Sequence, residues 1–141
     1  MKAVIRQSVD PGDMKIRDVP HPKLDGSNKH AILKVAMASI CGRDIEHFNS
    51  TLEPAKVPYI PGHEFSGIID ELPANHGTKF KVGDRVVSET VESVCGECPA
   101  CEKGLYNLCK HRKNIGGGMN GAFTSYIRVP TRFMHALPDN I

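Results

Sequence analysis

Four cysteines crowd into 15 residues, at Cys95, Cys98, Cys101 and Cys109, and their spacing constrains the fold more than any other feature of the chain. No helix or strand brings four side chains at those intervals onto one packing face. A loop wrapped around a metal does. Zinc takes four thiolates at about 2.3 Å in closed tetrahedral sites, and Gly96, Pro99 and Gly104 supply the tight turns such a loop needs. A bacterial 4Fe–4S run closes with a three-residue gap and then Cys-Pro; here the gap is seven residues and Lys110 follows. Disulfides suit small secreted domains, and the first residues, MKAVIRQ, alternate like a strand and lack the apolar core of an export signal. Structural zinc is the reading that the spacing favours. Residues 92–114 offer few large apolar side chains, chiefly Leu105, Tyr106 and Leu108, so this lobe is expected to depend on its metal.

The remaining bulk properties exclude more than they assign. A chain of 141 residues suits one domain with a real core. Lys and Arg total 18 against 16 Asp and Glu, a net charge of +2. That is far from the basic stripe of a nucleic-acid binder. The only basic cluster, Lys110-His111-Arg112-Lys113, reads as a solvated rim of the cysteine lobe. No apolar stretch reaches the 18 or so residues that a membrane span needs. Five cysteines without an export signal point to metal ligands in a reducing cytoplasm.

The chain reads as mainly β. Strands are expected at 2–6 and 14–19 around the turn Asp10-Pro11-Gly12-Asp13, and at 30–40, 65–72, 85–90, 122–129 and 133–137. Residues 30–40 form the longest apolar run and read as a mostly buried strand. Short helical turns are expected at 41–48 and 99–104. The 13 glycines and ten prolines mark frequent corners, as in a small barrel or sandwich. The string Gly116-Gly117-Gly118-Met119-Asn120-Gly121 matches G-x-G-x-x-G, but β-rich residues follow it rather than a helix. It reads as a loop, not a dinucleotide fingerprint.

A second constellation lies upstream. Cys41 ends the longest apolar strand, and Pro61-Gly62-His63-Glu64 follows, with His63 twenty-two residues after Cys41. A lone cysteine after a strand is more often a small core residue than a ligand. Taken together, a thiolate, an imidazole and a carboxylate make a three-ligand set for catalytic zinc, with the fourth position left for water or substrate. Asp44 is placed to accept from the imidazole N–H.

These residues resemble the catalytic domain of the zinc-dependent medium-chain alcohol dehydrogenases, in the polyol branch that includes sorbitol (L-iditol) dehydrogenase. The matching strings are Cys41-Gly42-Arg43-Asp44, Gly62-His63-Glu64-Phe65-Ser66-Gly67, Lys81-Val82-Gly83-Asp84-Arg85-Val86, Cys95-Gly96-Glu97-Cys98-Pro99-Ala100-Cys101, Gly104-Leu105-Tyr106-Asn107-Leu108-Cys109 and Gly121-Ala122-Phe123-Thr124-Ser125-Tyr126. They run in family order across almost the whole chain. The resemblance implies a GroES-like, partly open β-barrel over 1–141, with a zinc lobe at about 92–114. It implies Cys41 and His63 as catalytic-zinc ligands, Glu64 as a direct or exchangeable third, and Cys95, Cys98, Cys101 and Cys109 around the structural zinc. It further implies a secondary alcohol or polyol as substrate, NAD(P) as hydride acceptor and a homo-oligomeric parent. The Rossmann domain that binds NAD(P) is expected outside this chain, so the fragment alone is expected to be inactive. A non-catalytic zinc-binding GroES-like module for protein interaction is the alternative.

Two positions depart from the family pattern. Where many members carry Ser or Thr as a proton relay, this chain has Arg43, whose pKa above about 12 bars it from accepting a proton. Where many carry His, it has Glu46, and His47 comes one later. Arg43 either faces a phosphate or carboxylate on substrate or cofactor or pairs with a neighbouring carboxylate.

Overall fold

Strands β1 (Lys2–Arg6) and β2 (Met14–Asp18) pair antiparallel around the expected turn at 10–13. There the Asp13 N–H donates to Asp10 O and the Gly12 N–H to Phe48 O. The computed structural model describes residues 1–52, 56–117 and 119–141; Gly118, within the glycine string, lies outside the described residues. The main sheet is antiparallel, with order β8-β3-β4-β5-β9. It is built from β3 (His30–Ser39), β4 (Glu64–Glu71), β5 (Arg85–Ser88), β8 (Tyr126–Pro130) and β9 (Met134–Ala136). A short ladder of β6 (Val91–Ser93) and β7 (Lys113–Asn114) closes the base of the cysteine lobe. Helices α1 (Gly42–Phe48) and α2 (Pro99–Glu102) fall where the sequence places helical turns.

One face of the sheet carries the core. Leu33, Ile69, Val86, Ile127 and Val129 are buried there with Phe80 and Ile115, an alternating in-and-out pattern that suits strands with one covered face. The first hairpin is joined to the rest of the chain through the Val4 N–H to Phe123 O bond and the Arg6–Tyr59 bridge.

β3 departs from the expectation of a mostly buried strand. Ala31, Ile32 and Leu33 are buried, but Met37 is 75% exposed and Ile40 beyond the strand is 72% exposed. The reason lies in the register. β8 pairs with β3 only over His30–Lys34, while β4 follows it to Ser39. The second half of β3 therefore has a neighbour on one side alone, and its apolar side chains stay open.

Arg6 fixes α1 against the barrel. It is fully buried, and its guanidinium donates to His47 O, to Val9 O at 3.1 Å and to Ser50 Oγ at 2.9 Å. Two of those acceptors lie in the last turn of α1 or just beyond it, so the helix end is satisfied from the barrel side.

Candidate functional site

The four lobe cysteines converge. Their sulfurs lie within 4.8 Å of one another, with Cys95–Cys109 at 3.6 Å and Cys95–Cys101 at 3.9 Å. A tetrahedron with metal–sulfur bonds of about 2.3 Å has edges of about 3.8 Å, so the separations fit a zinc ion. Local structure sets this up. Cys98 caps α2 and Pro99 opens it, a proline where the missing N–H costs nothing, while the 3-10 turn Tyr106–Leu108 delivers Cys109. The Cys95 thiol is pulled down to about 6, first by the backbone N–H of Glu97 and then by that of Cys98. Burial pushes Cys101 up to about 12. A bound cation ionises such a thiol by its own charge. The cluster suits structural zinc and leaves no position open.

The second group forms at the start of α1. Ligand atoms of Cys41, Asp44 and His63 lie within 4.8 Å of one another. Cys41 is the N-cap of α1 and closes a capping box. Its Sγ accepts from the Arg43 N–H at 3.4 Å, and Asp44 Oδ2 accepts from the Cys41 N–H at 3.0 Å. The other carboxylate oxygen, Asp44 Oδ1, sits 3.7 Å from His63 Nδ1. It is buried and has no hydrogen-bond partner. An orphaned buried carboxylate oxygen is costly, and a cation at this group supplies the missing partner. The donor set fits a divalent zinc with room for a further ligand.

His63 is held in place by backbone. Gly62 has φ +91°, and a Cβ there would stand within 2.9 Å of three ring atoms of Phe123. Opposite it, a Cβ on Gly116 would lie 2.6 Å from Gly62 O, and one on Gly121 would lie 2.6 Å from Pro61 O. The segment is stitched by Ala122 N–H to Gly62 O at 2.9 Å and Phe123 N–H to Pro61 O at 3.0 Å. On either side of Gly118 the described residues of the glycine string form no helix, as expected, and Gly116 and Gly121 let them press against the chain that carries His63. This contact joins glycines more than fifty residues apart, and nothing in their spacing along the chain announces it.

A cavity of about 350 Å³ opens on the second group, lined among others by Cys41, His63, Glu64, Thr90, Arg43 and Arg112. Glu64 lies on this wall, but it is Asp44 that joins Cys41 and His63 in the compact cluster. Glu64 Oε2 accepts from Ser39 Oγ at 2.7 Å. Glu46 and His47 are not part of the described lining. His47 is buried, its Nδ1 2.9 Å from Leu52 O and its ring edge-on to Tyr59. Arg112 corrects the reading of 110–113 as a solvated rim. Lys110, His111 and Lys113 are exposed, but Arg112 is half-buried and lines the cavity.

Residues 27–139 match the alcohol dehydrogenase GroES-like domain. The chain belongs to this family. The GroES-like domain is 41% identical over 141 residues to a D-arabitol-phosphate dehydrogenase of Enterococcus avium, covering all of this chain and 39% of that protein. It is 39% identical over 142 residues to a sorbitol dehydrogenase of Halalkalibacterium halodurans, covering all of this chain and 40% of that protein. The crystal structure of galactitol-1-phosphate dehydrogenase from Escherichia coli superposes with a TM-score of 0.88 at 28% identity, over 99% of this chain and 39% of that one. These relatives place the GroES-like domain on the polyol side of the zinc alcohol dehydrogenases. The chain spans about two fifths of the length of the curated relatives it matches. Its mainly β, partly open sheet with an appended cysteine lobe is the architecture that the sequence motifs imply. Among the described residues no helix is long and apolar enough to cross a membrane.

Proposed function

We propose that this GroES-like domain is the catalytic part of a zinc-dependent dehydrogenase that oxidises a secondary alcohol or polyol, free or phosphorylated. NAD(P) is the hydride acceptor, bound by a Rossmann domain elsewhere in the protein. The observation that supports this reading is the pairing of one closed four-thiol group with one open group, Cys41, Asp44 and His63, on a cavity. Four thiolates fill a tetrahedral ion, whereas three ligands leave a place for substrate. The names of the relatives, which include D-arabitol-phosphate and sorbitol dehydrogenases, point to the same substrate class. A reducing cytoplasm and a homo-oligomeric parent complete the reading.

Zinc, when bound, supplies a Lewis acid that lowers the pKa of an oxygen it holds. The chain's own residues do the rest. Cys41 and His63 would hold the ion from two elements, the cap of α1 and the entry to β4. Asp44 either completes the set through Oδ1 or orients the His63 ring through Nδ1. Glu64, tied to Ser39 on the cavity wall, is positioned as the direct or exchangeable carboxylate. Thr90 brings a hydroxyl to the wall, while Arg43 brings a guanidinium that offers donors and no acceptor.

Elemental analysis of the purified protein tests the reading. Two zincs per chain are expected, with Cys41→Ser and His63→Ala each losing one and keeping the other. A single zinc that disappears only when Cys98 is replaced would overturn it.

A further inference from the structure

We infer that Arg43 and Arg112 form a two-guanidinium site for a phosphate monoester, so that the alcohol taken at this cavity is a phosphorylated polyol. The inference rests on the proposed dehydrogenase reading for its substrate and on the cavity alone for its anion site. Both arginines line the cavity that also holds Cys41 and His63. They come from different elements, Arg43 from the first turn of α1 and Arg112 from the approach to β7.

Neither has a partner among the described residues. Arg6 is held by carbonyls and a hydroxyl, Arg128 by Asp25 and Glu92, and Arg85 by the Pro138 carbonyl and Asp139. Arg132 lies over the rings of Tyr106 and Phe133. Arg43 and Arg112 have no such hydrogen bond or ion pair through their side chains among the described residues; Arg17, exposed on β2, has none either, but it does not line this cavity. Glu64, the one carboxylate among the described residues of the wall, is engaged by Ser39. Of the two roles open to Arg43, the neighbouring carboxylate is therefore not found among the described residues, and the anion remains.

The charge count names the anion. Arg43 is exposed and Arg112 half-buried, and two guanidinium groups lining one cavity beside a cation-binding group give it a positive field that an anion complements. A phosphate monoester carries about −1.5 to −2 at neutral pH and three acceptor oxygens, and its geometry matches the guanidinium fork in a bidentate way. A carboxylate brings half that charge. A free polyol brings none. The cavity, at about 350 Å³, lies at the small end of ligand pockets, which suits a short phosphorylated chain reaching from the arginines to the metal group.

The test is calorimetric titration of the full-length protein with inorganic phosphate, repeated with acetate and with NADP. Arg43→Gln and Arg112→Gln are each expected to weaken phosphate binding by roughly tenfold or more, the loss of one charge-assisted pair. Arg43→Lys should recover part of it, and Lys110→Gln should leave it unchanged. In turnover, the preference for sorbitol 6-phosphate over sorbitol, taken as the ratio of kcat/KM values, should collapse in both arginine variants. Equal phosphate binding in wild type and variants would overturn the inference. So would acetate binding as tightly as phosphate, or a loss confined to NADP. Cys41→Ser separates the two readings, since it should abolish turnover and still bind phosphate. Phosphate bound at the arginines of a protein that oxidises no alcohol would sink the dehydrogenase reading and leave the anion site standing.

Discussion

A methyl group on Gly116 would stand 2.6 Å from the carbonyl oxygen of Gly62, one residue before His63. Gly116 also has φ +69°, so alanine there meets both a clash and a left-handed backbone. Gly116→Ala should destabilise the fold by about 2–5 kcal/mol, the sum of the αL and overpacking costs. Gly42→Ala, with open space around it and an ordinary φ, should be neutral or stabilising by up to about 1 kcal/mol. Urea unfolding of both variants checks this; equal stabilities would mean that the loop yields freely.

Asp44→Asn keeps an acceptor for the Cys41 N–H and so should fold like the wild type. It removes the charge at Oδ1 beside His63. Cobalt affinity at the open group should fall by about 10–100-fold, the usual cost of losing a carboxylate next to a ligating histidine. The visible absorption of Co²⁺ reports it, and an unchanged affinity would remove Asp44 from the site.

Chelation should act first on the cysteine lobe. Structural zinc is worth about 10–16 kcal/mol in small peptides, and Leu105 and Leu108 in this lobe are exposed rather than packed. Amide protection over 92–114 should collapse on metal removal while β3 and β4 keep theirs. Hydrogen exchange with and without chelator measures it, and uniform protection would show a lobe that holds itself.

Asp25 gives the domain an acid-sensitive corner. Its carboxyl is held down at about 2, first by the Ser27 hydroxyl, with smaller help from the Ser27 N–H, His30 and Arg128. A carboxyl lowered from 3.8 contributes fully above that value and loses its contribution as pH falls through about 2. Asp25→Asn should therefore flatten the fall in stability between about pH 4 and 2. The carboxylate is about one-third exposed, so solvent screening keeps the effect modest. Urea midpoints along that range decide it.

Much of this molecule is written locally. Cysteine spacing is a covalent fact, and with Pro99 and two glycines it dictates a closed thiol cluster without reference to the rest of the chain. The turn at 10–13 and the caps of α1 and α2 are likewise short-range. What escaped the sequence depends on partners far along the chain. The exposure of Met37 follows from where β8 stops pairing, and an apolar run carries no record of that. Arg112 reads as one of four basic residues, because only the β6–β7 ladder decides which of them faces inward. Asp44 and Glu64 offered similar chemistry at similar range, and the capping box is what sets Asp44 beside Cys41.

Arg112 belongs to the lobe as much as to the cavity. Its N–H donates to Cys109 O at 3.1 Å, and β7 begins at the next residue. The last thiol ligand and the cavity wall are thus three residues apart on one piece of chain. The closed metal is then a remote setting screw for the mouth of the cavity, although it touches nothing that reacts. A protein starved of that metal would therefore lose the order of the lobe and the seat of Arg112 on the cavity wall together, while the sheet beneath kept its shape.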